Sequence, residues 1–368
     1  MEKLNICLVS LTIAPDSQDG AGKSFRGIFD YLKKQGHNVK LITGKWNISL
    51  NDPDIKQFDL IPKRFLWAPQ FMLKAINYIN THNFDIFHGN APKGTLPIIL
   101  SNKRKFITTI HDMGPFETSF TKIPIERYLI KYAVQKAAII TTVSDYIKKE
   151  IKYFIPKVKN DNIYVHYNGI EDRFKPYPKE AQILKERLKL KGPIILYIGR
   201  IAFYKGVGDI ISAYKTAKKK ISDLNLVIGG KPDFQMEKKY EEWKIKYKDI
   251  HFVGFIKEQE LPYFYSMADI FITYSYASEG FGLTPIEAIA CGTPVICSSM
   301  LAYKEILQEN AIFVPPRSPQ QLAEEIIELL RNKSKSELLE KSGQSYVKRY
   351  KWDSVGKELE KAYSKFLE

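Results

Sequence analysis

Short apolar runs alternate with helical patterns along this chain, and glycine or a small polar loop stands at most of the junctions. Asn5 to Thr12 is the first such run. Asp19-Gly20-Ala21-Gly22 follows as a tight loop, Lys23 to Gln35 carries helical spacing and closes at Gly36, and Asn38 to Thr43 is the next run. Strand, loop, helix and strand is the opening of a doubly wound parallel sheet, because a parallel partner is reached only through a crossover, usually a helix. The series continues with strands near Asp85–His88, Lys105–His111, Ala137–Val143 and Ile163–His166, with helices over Pro124–Lys136 and Asp145–Phe154 between them.

Glu171 to Gly192 is polar, carries Pro176 and Pro178, and reads as a linker with one short helix. A second alternating series then begins. Ile194–Ile198 is a strand, Lys205-Gly206 opens a helix running to about Lys219, and Leu224–Ile228 is a strand ending in Gly229-Gly230. His251–Phe255 is a strand, Glu258–Met267 a helix and Asp269–Thr273 a strand. Val355, Leu359, Tyr363 and Phe366 give the last residues an amphipathic helical face. A length of 368 residues fits two domains of ordinary size. The expected division is 1–175, 176–350 and a terminal helix over 351–368.

The net charge is +15, and residues 1–180 hold 27 Lys/Arg against 17 Asp/Glu, so +10 of it lies in the first half. That excess suggests an anionic partner there, a nucleic acid or an anionic membrane face, and a solvated lysine-rich surface with no partner fits it equally. No apolar run approaches the ~18 residues that span a bilayer. The N-terminus has little positive charge and no small-residue cleavage site, so it reads as the first strand and not as a leader. Cys7, Cys291 and Cys297 have no metal spacing and cannot all pair, which fits a reducing cytoplasm.

Glu279 to Val295 reads E-G-F-G-L-T-P-I-E-A-I-A-C-G-T-P-V. Glu279-Gly280-Phe281-Gly282 is a glycine-interrupted loop. Thr284 is expected to cap the next helix, with Pro285 in its first position and Glu287 three residues after the cap. Gly292 ends that helix, and Val295-Ile296-Cys297 starts a strand. A helix N-terminus offers free N–H groups and the positive end of a dipole to an anion. Glu279 and Glu287 would flank the anion and accept from hydroxyls, and phosphate between hydroxyls describes a sugar nucleotide. Thr284-x-x-Glu287 is also an ordinary capping box, but a capping box explains neither Glu279 nor the two glycines beside Phe281.

A second set, Gly199-Arg200-Ile201-Ala202-Phe203-Tyr204-Lys205-Gly206, follows a strand. Gly199 lets backbone approach closely at the carboxyl end of that strand, where open α/β sheets bind ligands. Arg200 offers a forked donor and Lys205 a point charge, enough together to neutralise a diphosphate without a metal. Each charge-assisted hydrogen bond is worth ~1.5–3 kcal/mol. Taken alone, the pair is also two ordinary exposed cations.

Together, E-G-F-G-x-x-x-x-E-A-x-A-x-G-x-P-V and G-R-x-x-x-x-K-G resemble the donor-site signature of the retaining glycosyltransferases of family 4. The resemblance spans nearly the whole chain and is strongest from Gly199 to Val295. It implies the GT-B fold, with two Rossmann-like doubly wound domains facing each other across a cleft and a C-terminal helix crossing back onto the first. It implies transfer of a hexosyl group from a UDP- or GDP-sugar to a glycan or lipid-linked acceptor, with retention and with no cofactor or metal. Arg200 and Lys205 would stabilise the departing diphosphate. Glu279 would contact hydroxyls of the transferred sugar and Glu287 those of the ribose. The Gly280 loop and the amides of Phe281, Gly282 and Leu283 would reach sugar and diphosphate, and Gly230 and the backbone near Phe255-Ile256 would border the base.

By the same resemblance, Gly20 and Ala21 stand where the family has a Gly-Gly loop near the leaving phosphate, with Ala21 splitting the glycines. His111-Asp112 matches an H-D pair, in which His111 would contact the donor sugar and Asp112 orient the acceptor. Val143-Ser144 and Asn168-Gly169-Ile170 match further family patterns and read as a helix cap and a turn leaving the first domain. A nucleotide-sugar epimerase or a phosphorylase on the same fold is the nearer alternative.

Two other motifs compete. Ser17 to Ser24 misses a P-loop by one residue, with Ser17 in place of its first glycine, and Ile13 to Asp16 separates it from its strand. An NTPase would also need a strand ending in a magnesium-binding Asp, and none is seen. Asp52-Pro53-Asp54 is a D-x-D in a polar turn without a partner acid, so no metal site is expected. Lys63 to Trp67 and Tyr146 to Phe154 mix cations with aromatics, which suits the headgroup region of an anionic bilayer. The expectation is therefore a cytoplasmic enzyme, peripheral on the inner membrane face. No nucleic-acid-binding motif is recognised.

Overall fold

The computed structural model describes residues 2–17, 19–61, 63, 66–103, 105–117, 125–277 and 279–368. The chain divides into two compact units, Met1–Gly169 with Trp352–Glu368, and Ile170–Lys351.

The first unit is built on β1 (Asn5–Val9), β2 (Asn38–Lys45), β3 (Ile55–Asp59), β4 (Ile86–Asn90), β5 (Ile107–Ile110), β6 (Ile139–Thr142) and β7 (Ile163–Val165). They pair in parallel in the order β3-β2-β1-β4-β5-β6-β7. Both faces are covered, and the central strands β1, β4 and β5 are buried along nearly their whole length, with β4 and β5 carrying His88, Thr108 and Thr109 among apolar residues. On one face Ile6 and Leu8 meet Phe25, Ile28 and Phe29 of helix Gly20–Lys34 and Leu359, Tyr363 and Phe366 of helix Trp352–Leu367. On the other, Cys7, Val9 and Ile42 meet Phe71, Ala75 and Ile79 of helix Trp67–Thr81. The last helix of the chain thus belongs to the first unit. Trp352 is seated between Gly27 and Gly169, where a Cβ would come within 2.1 and 2.3 Å of its ring.

The second unit carries β8 (Ile194–Ile198), β9 (Asn225–Gly229), β10 (Ile250–Gly254), β11 (Ile270–Thr273), β12 (Val295–Ser298) and β13 (Ile312–Val314). They are parallel in the order β10-β9-β8-β11-β12-β13. Its core packs Ile195, Tyr197, Ile228 and Ile272 against Ile210, Tyr214, Leu322 and Ile326. Gly206, at φ 62°, starts helix Val207–Lys218, and a Cβ there would lie 2.3 Å from the Tyr274 carbonyl oxygen.

In each sheet the strand order reverses once, between β1 and β4 and between β8 and β11. Crossovers leave in opposite directions at these points, and the carboxyl ends of the strands open a crevice there.

Several elements escape the sequence pattern. β3, helix Trp67–Thr81, helix Ala91–Ile99 with Pro97 inside it, and β13 were not expected. β3 is a polar edge strand, IKQFD, and carries little apolar signal. The short helix expected within the linker is present as Pro178–Arg187, with Ala181 and Leu184 buried in the second unit. Pro124, Arg64 and Phe65 lie outside the described residues.

Candidate active site

The carboxyl ends of β8 and β11 bring the second unit's predicted residues together. Lys205 lies just after β8 and Glu279 just after β11, and the lysine Nζ pairs with Oε1 of Glu279. Ser275 Oγ donates to the same oxygen at 2.6 Å. Glu279 is 8% exposed, and a cation and a hydroxyl answer it there. Arg200 is exposed and takes another direction, donating to the Tyr204 hydroxyl. Its guanidinium lies 5.6 Å from the centre of the Tyr204 ring, and the Lys205 amine 5.2 Å from the same ring. Tyr204 therefore holds both cations of the G-R-x-x-x-x-K-G stretch.

Helix Leu283–Ala290 begins differently from the expectation. Gly282 is its N-cap, left-handed at φ 89°, and no side chain caps the helix. Thr284 is inside the first turn and Pro285 follows it, so the capping box does not form. A glycine can adopt the turn that Thr284 would have to avoid. A side chain at 282 would also strike Tyr303, 2.6 Å from the hypothetical Cβ. The amides of Leu283 and Thr284 consequently have no acceptor among the described residues.

Freed from capping, Glu287 is buried and accepts from the Tyr265 hydroxyl at 2.7 Å through Oε2. Burial and the neighbouring carboxylate hold Tyr265 well above its ordinary pKa, so it remains a donor. Among the described residues, Oε2 of Glu279 and Oε1 of Glu287 have no hydrogen-bond partner. Phe281 is an anchor in the core, edge-on to Tyr350 at 5.6 Å.

Gly199 and Gly230 meet backbone to backbone. A Cβ on Gly230 would fall 1.8 Å from the Gly199 carbonyl oxygen. The Gly230 amide is spent on the Gly254 carbonyl at 2.7 Å, so it has no hydrogen left for a base. Ile256 is buried and closes over Gly229, its Cδ1 lying 2.4 Å from a hypothetical Cβ.

In the first unit, His111 follows β5, half-buried, with Nε2 2.6 Å from Oδ1 of Asn90. Burial pushes its pKa down to about 4, against the opposing pull of Asp19, so the ring is neutral at pH 7. Asp112 is exposed and accepts from the Gly114 amide at 3.0 Å. Gly20 and Ala21 open helix Gly20–Lys34, but Asp19 caps it, accepting from the Gly22 amide at 2.7 Å. Asp19 already takes the Gly22 amide, which a P-loop would turn to phosphate. The D-x-D reading fails. Lys33 pairs with Asp52 and Asp54 at 3.3 and 2.7 Å and Lys40 with Asp54 at 2.6 Å, so the acids are neutralised by lysines. No cluster of three metal-ligating side chains occurs among the described residues. Ser144 does cap helix Asp145–Phe154, accepting from Ile147 at 3.2 Å, and Asn168 accepts from Ser24 at 2.5 Å.

Tyr204, Ser275, Tyr303, Tyr265 and Asn90 complete these sites and carried no motif. The available signal was position alone, since Ser275 and Asn90 are polar residues at the ends of buried strands.

The profile of glycosyltransferase family 4 matches residues 18–174, and that of the glycosyl transferases group 1 matches residues 178–346. An uncharacterized glycosyltransferase of Methanocaldococcus jannaschii is 24% identical over 99% of this chain and 99% of its own. A GDP-mannose-dependent phosphatidylinositol monomannoside mannosyltransferase of Mycobacterium tuberculosis is 25% identical over 66% of each chain. The crystal structure of Anabaena HepE in complex with UDP and glucose superposes with a TM-score of 0.81 at 17% identity, over 98% of this chain and 99% of that one. Two parallel-sheet Rossmann-like units, each matched by its own profile, define a glycosyltransferase of the GT-B fold. The chain belongs to glycosyltransferase family 4, whose C-terminal half is the group 1 module.

Proposed function

We propose that the protein transfers a hexosyl group from a UDP- or GDP-sugar to a glycan or lipid-linked acceptor, with retention at the anomeric carbon and without an essential metal. One observation carries this reading: Lys205, the uncapped start of helix Leu283–Ala290 and two buried glutamates gather at the switch point of the second unit. The lysine and the amides of Leu283 and Thr284 suit a diphosphate. The unpartnered oxygens of Glu279 and Glu287 suit hydroxyls of the sugar and the ribose. Arg200 reaches the diphosphate by leaving Tyr204. Gly20, Ala21, His111 and Asp112 carry the roles the family pattern gives them, near the leaving phosphate, the donor sugar and the acceptor.

In the reaction the bond between the anomeric carbon and the β-phosphate oxygen breaks, and its electron pair leaves with the nucleoside diphosphate. Lys205, Arg200 and the helix N-terminus stabilise that charge as it develops. An acceptor hydroxyl oxygen bonds to the anomeric carbon on the same face, and its proton passes to the departing phosphate. The names of relatives support a nucleotide-sugar donor, one mannosyltransferase being GDP-mannose-dependent and the HepE structure holding UDP and glucose.

A thermal-shift panel of UDP, GDP, ADP and their sugars, with and without chelator, tests the reading. Stabilisation by one diphosphate that persists in chelator is expected; no shift with any of them removes it. No described helix is long and apolar enough to cross a membrane. The same reading places the enzyme in the cytoplasm, peripheral on an anionic membrane through its basic first half, where Tyr128 and Tyr153 are 68% and 79% exposed. Pelleting with anionic but not neutral liposomes, lost at high salt, is the expected outcome.

A further inference from the structure

Asn90 ends β4 at the switch point of the first unit and occupies the N-cap of helix Ala91–Ile99. An asparagine there ordinarily turns back onto the first amides of its helix. Asn90 makes no such cap. The next residue, Ala91, is left-handed at φ 52°, a conformation disfavoured for any residue with a Cβ. Stability is set aside here at two successive positions, and the Asn90 side chain runs sideways across the strand ends instead.

Its neighbours decide which way the amide faces. Nδ2 donates to Ser10 Oγ at 2.8 Å and to the Ala21 carbonyl at 3.3 Å. Ser10 gives its own hydrogen to the Thr12 carbonyl at 2.5 Å, so its oxygen is left to accept. A carbonyl can only accept. Both partners therefore face the NH₂ group, and Oδ1 is left for His111, 2.6 Å away. An amide oxygen only accepts as well, so Nε2 of His111 carries the hydrogen. The ring is neutral, and its bare lone pair is on Nδ1, which has no partner among the described residues.

We propose that Asn90 is a positioning residue that locks His111 in the Nε2–H tautomer, so that Nδ1 accepts a hydrogen bond from a hydroxyl of the bound sugar nucleotide. This rests on the donor reading above and narrows it. A lone pair repels a phosphate oxygen, so His111 reads the neutral sugar and contributes nothing to the grip on the diphosphate.

The test uses the full chain labelled with nitrogen-15 histidine. His111 is assigned in long-range proton–nitrogen spectra by its loss in His111→Gln. Wild type is expected to show a pyrrole-type Nε2 and a pyridine-type Nδ1. Asn90→Ala gives values averaged between the two tautomers. Calorimetric titration with UDP, GDP, UDP-glucose and GDP-mannose completes it. In Asn90→Ala, whichever sugar nucleotide wild type takes should bind about five- to tenfold more weakly, while its free diphosphate changes less than about twofold. A hydrogen on Nδ1 in wild type overturns the proposal, whatever the variants do. So does an Asn90→Ala protein with the wild-type spectrum and the wild-type affinity for the sugar nucleotide. Wild type that binds none of the four ligands counts against the donor reading itself, and the spectrum then still decides the tautomer.

Discussion

At the switch point of the second unit the strand ends deliver charge, with Lys205 against Glu279 and Glu287 held by Tyr265. At that of the first the hydrogen-bonded row is neutral, with the carboxylates of Asp112 and Asp19 outside it. Ser10, Asn90 and His111 form one row. Behind them His88 bridges the Tyr363 hydroxyl at 2.8 Å and Thr109 at 2.6 Å, and Thr109 reaches Thr141 at 2.7 Å. Burial alone does not separate the two ends. A carboxylate with a low pKa keeps its charge if a cation or hydroxyl meets it, whereas an imidazole titrating near neutrality answers burial by losing its proton. The same topological position thus yields a charged cluster in one unit and a neutral hydrogen-bonded row in the other.

The comparison breaks first at its backbone. Gly230→Ala puts a methyl group against the Gly199 carbonyl at φ 137° and should cost ~3 kcal/mol or more in chemical denaturation; a loss below ~1 kcal/mol would show that the strand ends of β8 and β9 can part easily. The neutral end should fail in acid. Burial holds His166 down to about 3 and His88 well below its ordinary value. The unfolded chain binds these protons near pH 6.5 and the folded chain does not, so stability is complete above that pH and falls as pH drops toward the folded values. His166 is 1% exposed and its ring nitrogens have no partner among the described residues. It alone should remove roughly 3 kcal/mol between pH 7 and pH 4. Urea titrations across that range check this, and His166→Leu should flatten the slope.

At the charged end, Lys205→Ala should lower kcat/KM for the donor by about 100-fold, since it removes a charge-assisted contact. Near-wild-type turnover in a folded variant would take Lys205 out of the site. The smallest effect sharpens the division between phosphate and hydroxyl contacts. Tyr265→Phe leaves Glu287 without its orienting donor and should weaken nucleoside diphosphate binding by about fivefold, leaving inorganic pyrophosphate unaffected. Equal loss for both ligands would mean that Glu287 does not read the ribose.

Much of the architecture was legible in the sequence, because strands covered on both faces are rich in apolar residues and each crossover leaves a helical pattern between them. The Glu279–Glu287 spacing and the Gly206 turn were equally legible. The role of Thr284 is not legible in the sequence, because a capping box and a buried acceptor share the same letters and only the left-handed Gly282 distinguishes them. Tyr265 and Tyr303 were invisible, since they reach Glu287 and Ser275 from 22 and 28 residues away.

The sequence by itself determined the alternation of strand and helix, the glycines on which close backbone approaches depend, and the inventory of acids and cations available to a sugar nucleotide. Tertiary structure alone decided which oxygen of Glu279 and Glu287 is already taken, which cation meets a carboxylate, and which nitrogen of His111 holds its hydrogen. Apolar periodicity is a property of neighbours along the chain. Hydrogen-bond direction depends on partners that meet only after folding, and a rotation of one amide reverses it.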